Sequence, residues 1–381
     1  MVYLDHNAST PLDARVLEAM QPFLVANHAN ASALYRQGRA ARAAIELARE
    51  QIAALVGAHP TQVIFTSGGT EANNLALKGA VLGMGLNSIV VSGIEHSSIL
   101  QAANALRRQG RRVLEMPVDG AGRVDIAGAR TRLAAGQWVT LMWVNNETGV
   151  IQDVSTMAAA VREAGAFLHC DAVQAAGKLK LDFEASGAHV ITLSAHKIYG
   201  PKGVGAMVLD RALDIEPLIH GGGHEHGLRA GTENVAGIVG FGCAAMLAAA
   251  EMVAQVAHVR ALRDMFEAQL AAALPEITLF GQHALRVSNT SFIGVPGMHG
   301  ETLLTALDAE GYAVGSGSAC ESKTGQPSHV LLAMGVAPSL ADGALRVSLG
   351  HHNTAGEVAG LVTVLANVVA RFRNMAAMRL A

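Results

Sequence analysis

Five short, continuously apolar runs, VIFTS (63–67), SIVVSG (88–93), VTLMWVN (139–145), AFLHCD (166–171) and HVITLSA (189–195), stand between Ala-rich stretches of helical composition. A strand without polar alternation has to be covered on both faces. A parallel sheet with helices packed on each side meets that condition. The stretches TEANNLALKGAV, HSSILQAANALRRQG and STMAAAVREAG read as covering helices. After about residue 250 the texture changes. The helical run AAAEMVAQVAHVRALRDMFEAQLAAAL ends at Pro275, and the shorter strand candidates ITLFG, RVSNTSFIGV, YAVGSG and ALRVSLG follow. The expected organisation is a large α/β domain over 16–255 and a smaller α+β domain over 256–381. Residues 1–15 fit either by composition and are assigned to the small one. No flexible linker separates the two.

The chain has 381 residues, enough for a sizeable core. Its net charge of −3 supplies no basic field for nucleic acid, and 4% aromatic content supplies few surfaces for base stacking. Three cysteines, Cys170, Cys243 and Cys320, do not form a disulfide framework and suit a reducing cytoplasm. The start MVYLDHNAST lacks the basic and apolar regions of a signal peptide. The most membrane-like stretch, VAGIVGFGCAAMLAAA (235–250), is 16 residues long and closes with Glu251, which favours a core helix over a span.

The chemistry-bearing residues cluster where strands end. In FTSGGTEANN (65–74), Gly68 and Gly69 turn the chain and Thr70 and Glu71 open a helix. Free N–H groups at such a start can hold a phosphate, though a plain turn capped by Thr70 also fits. Asp171, in HCDAVQAAGK, closes an apolar strand, where open parallel sheets bind ligands. It would suit a protonated pyridine nitrogen, or could cap a helix. Asn146, in VNNETGV, could donate to a ring oxygen, and Glu147 could cap a helix.

Then comes LSAHKIYGPKGVG (193–205), in which Ser194, His196 and Lys197 leave a buried strand together. An ammonium there is costly unless paired, neutralised or used. A desolvated lysine beside positive charge is able to form a Schiff base with an aldehyde. A lysine, an acidic partner for a pyridinium and a phosphate cradle are the three parts of a pyridoxal phosphate site. All three are present at strand ends.

The segments FTSGGTEANNLALKGA, NNETGVIQDV, SAHKIYGPKGVGAM and GGGHEHGLRAGTENV, in this order, resemble the motifs of the cysteine desulfurases. These are pyridoxal-phosphate enzymes of the class-V aminotransferase group, and the resemblance runs from YLDHNASTP to LRVSLG. It implies a PLP-dependent transferase fold of type I, with a mainly parallel seven-stranded sheet. It further implies Lys197 as the covalent anchor of the cofactor, Asp171 against the pyridinium nitrogen, and His96 stacked on the ring. Asn146 and Gln174 would lie near the ring hydroxyl. Gly69, Thr70, Ser194 and His196 would hold the phosphate, with Thr232 reaching the phosphate of a second subunit in a homodimer. Without the resemblance, His96 reads as a helix-start histidine.

Cys320 lies in VGSGSACESKTGQPSH, a stretch of loop composition, whereas Cys170 and Cys243 sit in apolar strand and helix contexts. That makes Cys320 the candidate nucleophile. The resemblance implies that it takes sulfur from L-cysteine as a persulfide, leaving L-alanine, for acceptors such as an iron–sulfur scaffold or a sulfur carrier. It also implies that Arg346 pairs with the substrate carboxylate. The run HGGGHEH (220–226) invites a metal reading, but three glycines fix no ligand geometry. The chain departs from the family pattern at Ala31, Ala33, Tyr35, His226, Glu321 and His351. Selenocysteine lyase, an aminotransferase and a non-catalytic scaffold that binds sulfur carriers are the competing expectations.

Overall fold

The computed structural model describes residues 1–317 and 327–380. Its strands are β1 (Val2–Tyr3), β2 (Val63–Thr66), β3 (Ser88–Ser92), β4 (Arg112–Met116), β5 (Gln137–Met142), β6 (Phe167–Asp171), β7 (Val190–Ser194), β8 (Gly205–Leu209), β9 (Thr278–Leu279), β10 (Thr290–Gly294), β11 (Tyr312–Ala313) and β12 (Ala344–Ser348). Seven form one sheet in the order β2-β8-β7-β6-β5-β3-β4. Strand β8 runs antiparallel to both β2 and β7, and the other pairings are parallel. The five apolar runs are therefore strands of this mainly parallel sheet. The sheet has two further strands, β4 and β8, that the sequence reading had not marked. RVLEM in β4 carries charges at an edge, and GAMVL in β8 follows a Gly-rich turn, so neither advertises itself.

The pleat explains why the runs are apolar throughout. Ile64, Ile89, Trp138, Val190 and Met207 point into one core, with Leu75, Ile99 and Leu106 from the covering helices. Their neighbours Phe65, Val90, Val139, Ile191 and Val208 point into the other, with Ile45, Ile52 and Phe241. Each fully buried Ile or Phe of this kind contributes about 1.5–3 kcal/mol from area removed from water.

On that second face the helix Val235–Ala273 packs against Ala14–Val25 and Arg36–Val56. It is one element of 39 residues, where the composition had shown two. The expected division at 255/256 falls inside it. Its C-terminal half supplies Val259, Leu262, Phe266 and Leu270 to a separate core. That core also takes Leu4, Leu303, Val347 and Leu361, under the antiparallel sheet β12-β10-β9. The N-terminal segment joins this part of the chain: β1 pairs with β11, and Asp5 bridges to Ser348 at the end of β12.

Candidate active site

The C-terminal ends of β2, β5, β6 and β7 open into a cavity of about 560 Å³. Its walls include Gly69, Thr70, His96, Asn146, Asp171, Gln174, Ser194, His196, Lys197 and Arg346. Ten residues from six separate motifs thus meet at one sheet edge. Thr232 stands apart, exposed and away from this cavity within the chain. Cys320 lies outside the described residues, and Gly317, just before that segment, lines the cavity.

The first wall is a helix start. Gly68 is the N-cap of the helix Gly69–Asn74, at φ 153° and ψ 179°, a conformation open to glycine. No side chain caps this start. Thr70 does not cap this start, the alternative its sequence context allowed; it is exposed in the first turn and lines the cavity. Gly205 of β8 lets the turn sit against the sheet, because a Cβ there would lie 2.6 Å from the Gly68 carbonyl carbon. The first residues of this helix line the cavity, and among the described residues no side chain caps its start, at the positive end of the helix dipole.

The floor is Asp171, 5% exposed at the end of β6. Its Oδ2 accepts from Asn73 Nδ2 at 2.7 Å and its Oδ1 from the Val173 N–H at 3.0 Å. Asn73 is held in turn, its Oδ1 accepting from the Thr192 hydroxyl at 2.6 Å. Both carboxylate oxygens are thus fixed, and the carboxylate faces the cavity as an oriented anion.

Lys197 reaches across from the far side. Its Nζ donates to the backbone carbonyls of Asn7 and Ala8 at 2.6 and 2.7 Å. His96 stands at a helix start, as its own sequence context suggests, and also borders the cavity. It is the N-cap of the helix Ser97–Arg108, accepting through Nδ1 from the Ser98 N–H at 3.2 Å, and it lines the cavity. Burial holds its basicity down, offset in part by Asp171. A neutral ring whose Nδ1 accepts carries its proton on Nε2. His196 is likewise held down to about 4, chiefly by burial and then by Lys197 and Lys202, and sits 3.2 Å from Ser9 Oγ. Arg346 is already in an ion pair, donating from NH2 to Asp5 Oδ1 at 2.7 Å, while its buried Nε has no partner among the described residues. Glu147 caps no helix. It is buried, lines the cavity and accepts from the Ser328 hydroxyl.

The aminotransferase class-V family pattern matches residues 2–361. A cysteine desulfurase of Cereibacter sphaeroides is 42% identical over 98% of this chain and 97% of its own length. The cysteine desulfurase IscS of Dictyoglomus turgidum is 39% identical over 98% and 96%. The chain belongs to the cysteine desulfurase group of the class-V aminotransferases. Among solved structures, a NifS-like protein superposes with a TM-score of 0.91 at 33% identity, covering 97% of this chain and 99% of that one. SspA in complex with cysteine follows with 0.81 at 30%, covering 93% and 100%. The fold is accordingly the type I transferase fold of that family.

The family's cofactor is pyridoxal phosphate, and the cavity's chemistry fits it. An uncapped helix start suits the phosphate, a buried and oriented carboxylate suits a pyridinium nitrogen, and the Lys197 amine lines the same cavity, where an aldehyde could be held. Several residues in or behind this cavity carried no local signal in the sequence. Asn7 and Ala8, Asn73 and Asp5 act through contacts with residues 98 to 341 positions away, and no local pattern reports such a contact.

Proposed function

We propose that this chain binds pyridoxal phosphate on Lys197 and withdraws sulfur from L-cysteine, leaving L-alanine and a persulfide on Cys320. The observation that supports this reading most is the convergence of Lys197, Asp171 and the uncapped helix start of Gly69 on one cavity. Thr70, Ser194 and His196 would hold the phosphate beside that helix start. Asp171 would keep a proton on the ring nitrogen, and His96 would cover the ring. Asn146 and Gln174 would face the ring hydroxyl, and Arg346 would take the substrate α-carboxylate. When bound, the cofactor supplies an electron-accepting ring in conjugation with the substrate α-carbon.

With the cofactor bound, Lys197 would take the substrate α-proton and, once the sulfur has left, would return a proton to the substrate. The Cys320 thiolate then attacks the substrate sulfur. The carbon–sulfur bond breaks, a sulfur–sulfur bond forms, and the electron pair left on carbon takes up a proton to give alanine. No external oxidant is required, because the sulfane sulfur stays on Cys320. The other two thiols are poor rivals: burial pushes Cys170 well above the ordinary thiol range, and raises Cys243 as well. A homodimer completed by Thr232 of a second copy, and a downstream acceptor such as an iron–sulfur scaffold or sulfur carrier, belong to the same reading.

The test is borohydride reduction of the purified protein followed by peptide mapping, with alanine and sulfide measured after L-cysteine is added. A pyridoxyl tag on Lys197 and equal alanine and sulfide under a thiol reductant are expected. The variant Cys320→Ser should keep the cofactor colour and lose sulfide release. A Lys197 peptide without a tag sinks the reading, as does undiminished sulfide from Cys320→Ser.

A further inference from the structure

A second lysine stands behind the first. Lys178 lies four residues after Gln174, on the turn that follows β6, and lines a small cavity adjoining the large one. Its Nζ donates to Gln174 Oε1 at 2.6 Å and to Asn7 Oδ1 at 3.2 Å. An ammonium can only donate, so each of these amides must turn its oxygen toward Lys178. The nitrogens are then committed to the other side. Gln174 Nε2 donates to the Asn7 carbonyl at 2.9 Å, on the same oxygen that accepts from Lys197. Asn7 Nδ2 donates to the Asn146 carbonyl at 3.1 Å and to Thr290 Oγ1 at 2.9 Å. Asn289 reinforces the arrangement by donating to Asn7 Oδ1 at 2.9 Å.

We propose that Lys178 is a positioning residue for the cofactor site, one cation that sets the polarity of two amides so that Gln174 turns a donor rather than an acceptor toward the cavity. Resting on the pyridoxal-phosphate reading, this deepens it. A donor there favours an anionic ring oxygen, whereas a flipped Gln174 would repel one. Lys178 lines the small cavity rather than the large one, so it acts through Gln174 and Asn7. Its charge is also felt at position 197. Burial first, then Lys197 and Arg346, hold Lys178 down to about 7, and such coupling is reciprocal.

The test compares wild type with Lys178→Met and Lys178→Arg, each stripped of cofactor and titrated with pyridoxal phosphate. Two readouts are taken, the dissociation constant and the pH midpoint of the visible band. Removing a positive charge favours protonation nearby, so Lys178→Met should raise the midpoint by about half a unit to one unit and weaken binding by about tenfold. Lys178→Arg, which keeps the charge, should restore the midpoint. Lys178→Gln substitutes for the Met variant should that one not fold. A midpoint unchanged in the uncharged variant overturns the inference, as does an equal rise in Lys178→Arg. A wild type that takes up no pyridoxal phosphate overturns the underlying reading, and this inference with it.

Discussion

The carboxylate of Glu225 meets the guanidinium of Arg49 in a buried two-pronged pair, with both N–H···O distances at 2.9 Å. Glu225 belongs to the Gly-rich run HGGGHEH, at φ 46°, and is directed into the core rather than toward the neighbouring histidines. Its Oε2 also accepts from the Phe65 N–H at 2.8 Å, and Arg49 donates to the Val63 carbonyl at 2.6 Å. The pair therefore ties this loop to β2, the strand that leads into the helix start of the cavity. Removing one partner leaves the other charge buried and uncompensated, at a cost of about 3–5 kcal/mol. We expect Glu225→Ala to lower the thermal midpoint by several degrees. The double variant Arg49→Met with Glu225→Leu should recover much of that loss. Calorimetry on the single and double variants checks both, and a single variant as stable as wild type contradicts the anchoring role.

Asn73 bears on the cofactor rather than on the fold as a whole. It donates to Asp171 and to Ser98 Oγ, and accepts from Thr192. Asn73→Ala removes one hydrogen bond to a charged acceptor, worth about 1.5–3 kcal/mol. Part of that appears as lost orientation of Asp171. The expected outcome is pyridoxal-phosphate binding weakened by about tenfold with the fold retained, measured by titrating the apoprotein. Unchanged affinity would mean that Asp171 needs no such support.

The division between what could be read from the sequence and what could not follows the range of the contacts. Apolar runs of five to seven residues report burial on both faces directly, so five strands of the large sheet were legible. The antiparallel strand β8 was not, because GAMVL follows directly on a glycine- and proline-rich turn that masks where the strand begins. The helix Val235–Ala273 looked like two elements because its first half is core-facing and Ala-rich and its second half carries charges. For the site, Asp171, Ser194, His196 and Lys197 lie at or just past strand ends, which is a local signal. Asn7, Asp5, Asn73 and Glu225 have no such signal. Each is defined by a partner far away in the chain, and only the folded arrangement reveals that partner. Cys320 was marked by its loop composition and by the family resemblance, and it lies outside the described residues.

Arg346 illustrates how a long-range partner changes a prediction. Asp5 holds one arm of its guanidinium, and the Asn146 carbonyl accepts from NH1 at 3.2 Å. The side chain is 3% exposed, so it is preorganised rather than mobile. If it takes the substrate carboxylate, Arg346→Lys loses the planar fork and keeps the charge. The KM for L-cysteine should rise by about ten- to a hundredfold while the bound-cofactor spectrum stays as in wild type. Steady-state kinetics with a parallel spectrum decides it. An unaltered KM would remove Arg346 from the substrate site.

Glu95 makes the stability of the protein depend on pH in a direction that its histidines oppose. It is fully buried, accepts through Oε1 from Ser92 Oγ at 2.6 Å and from the Met142 N–H at 2.8 Å, and its Oε2 has no partner among the described residues. Burial pushes it up to about 8, further aided by Asp171. The folded protein then keeps this proton up to about pH 8, whereas the unfolded chain releases it near pH 4.3. Between those values the folded state binds more protons, so this contribution to stability is complete at low pH and is lost as pH rises. Buried His169 and His6, held down to about 3 and about 4 chiefly by burial, act the other way, because the unfolded chain takes up protons below pH 6.5. Glu95→Gln separates the two. It keeps an acceptor for Ser92 and Met142 and removes the titration. Relative to wild type, the variant should gain on the order of 3–4 kcal/mol between pH 5 and pH 8, with no further gain above pH 9. Denaturant unfolding across that range provides the measurement. Curves that stay parallel from pH 5 to pH 9 would show that Glu95 is ionised in the folded protein throughout.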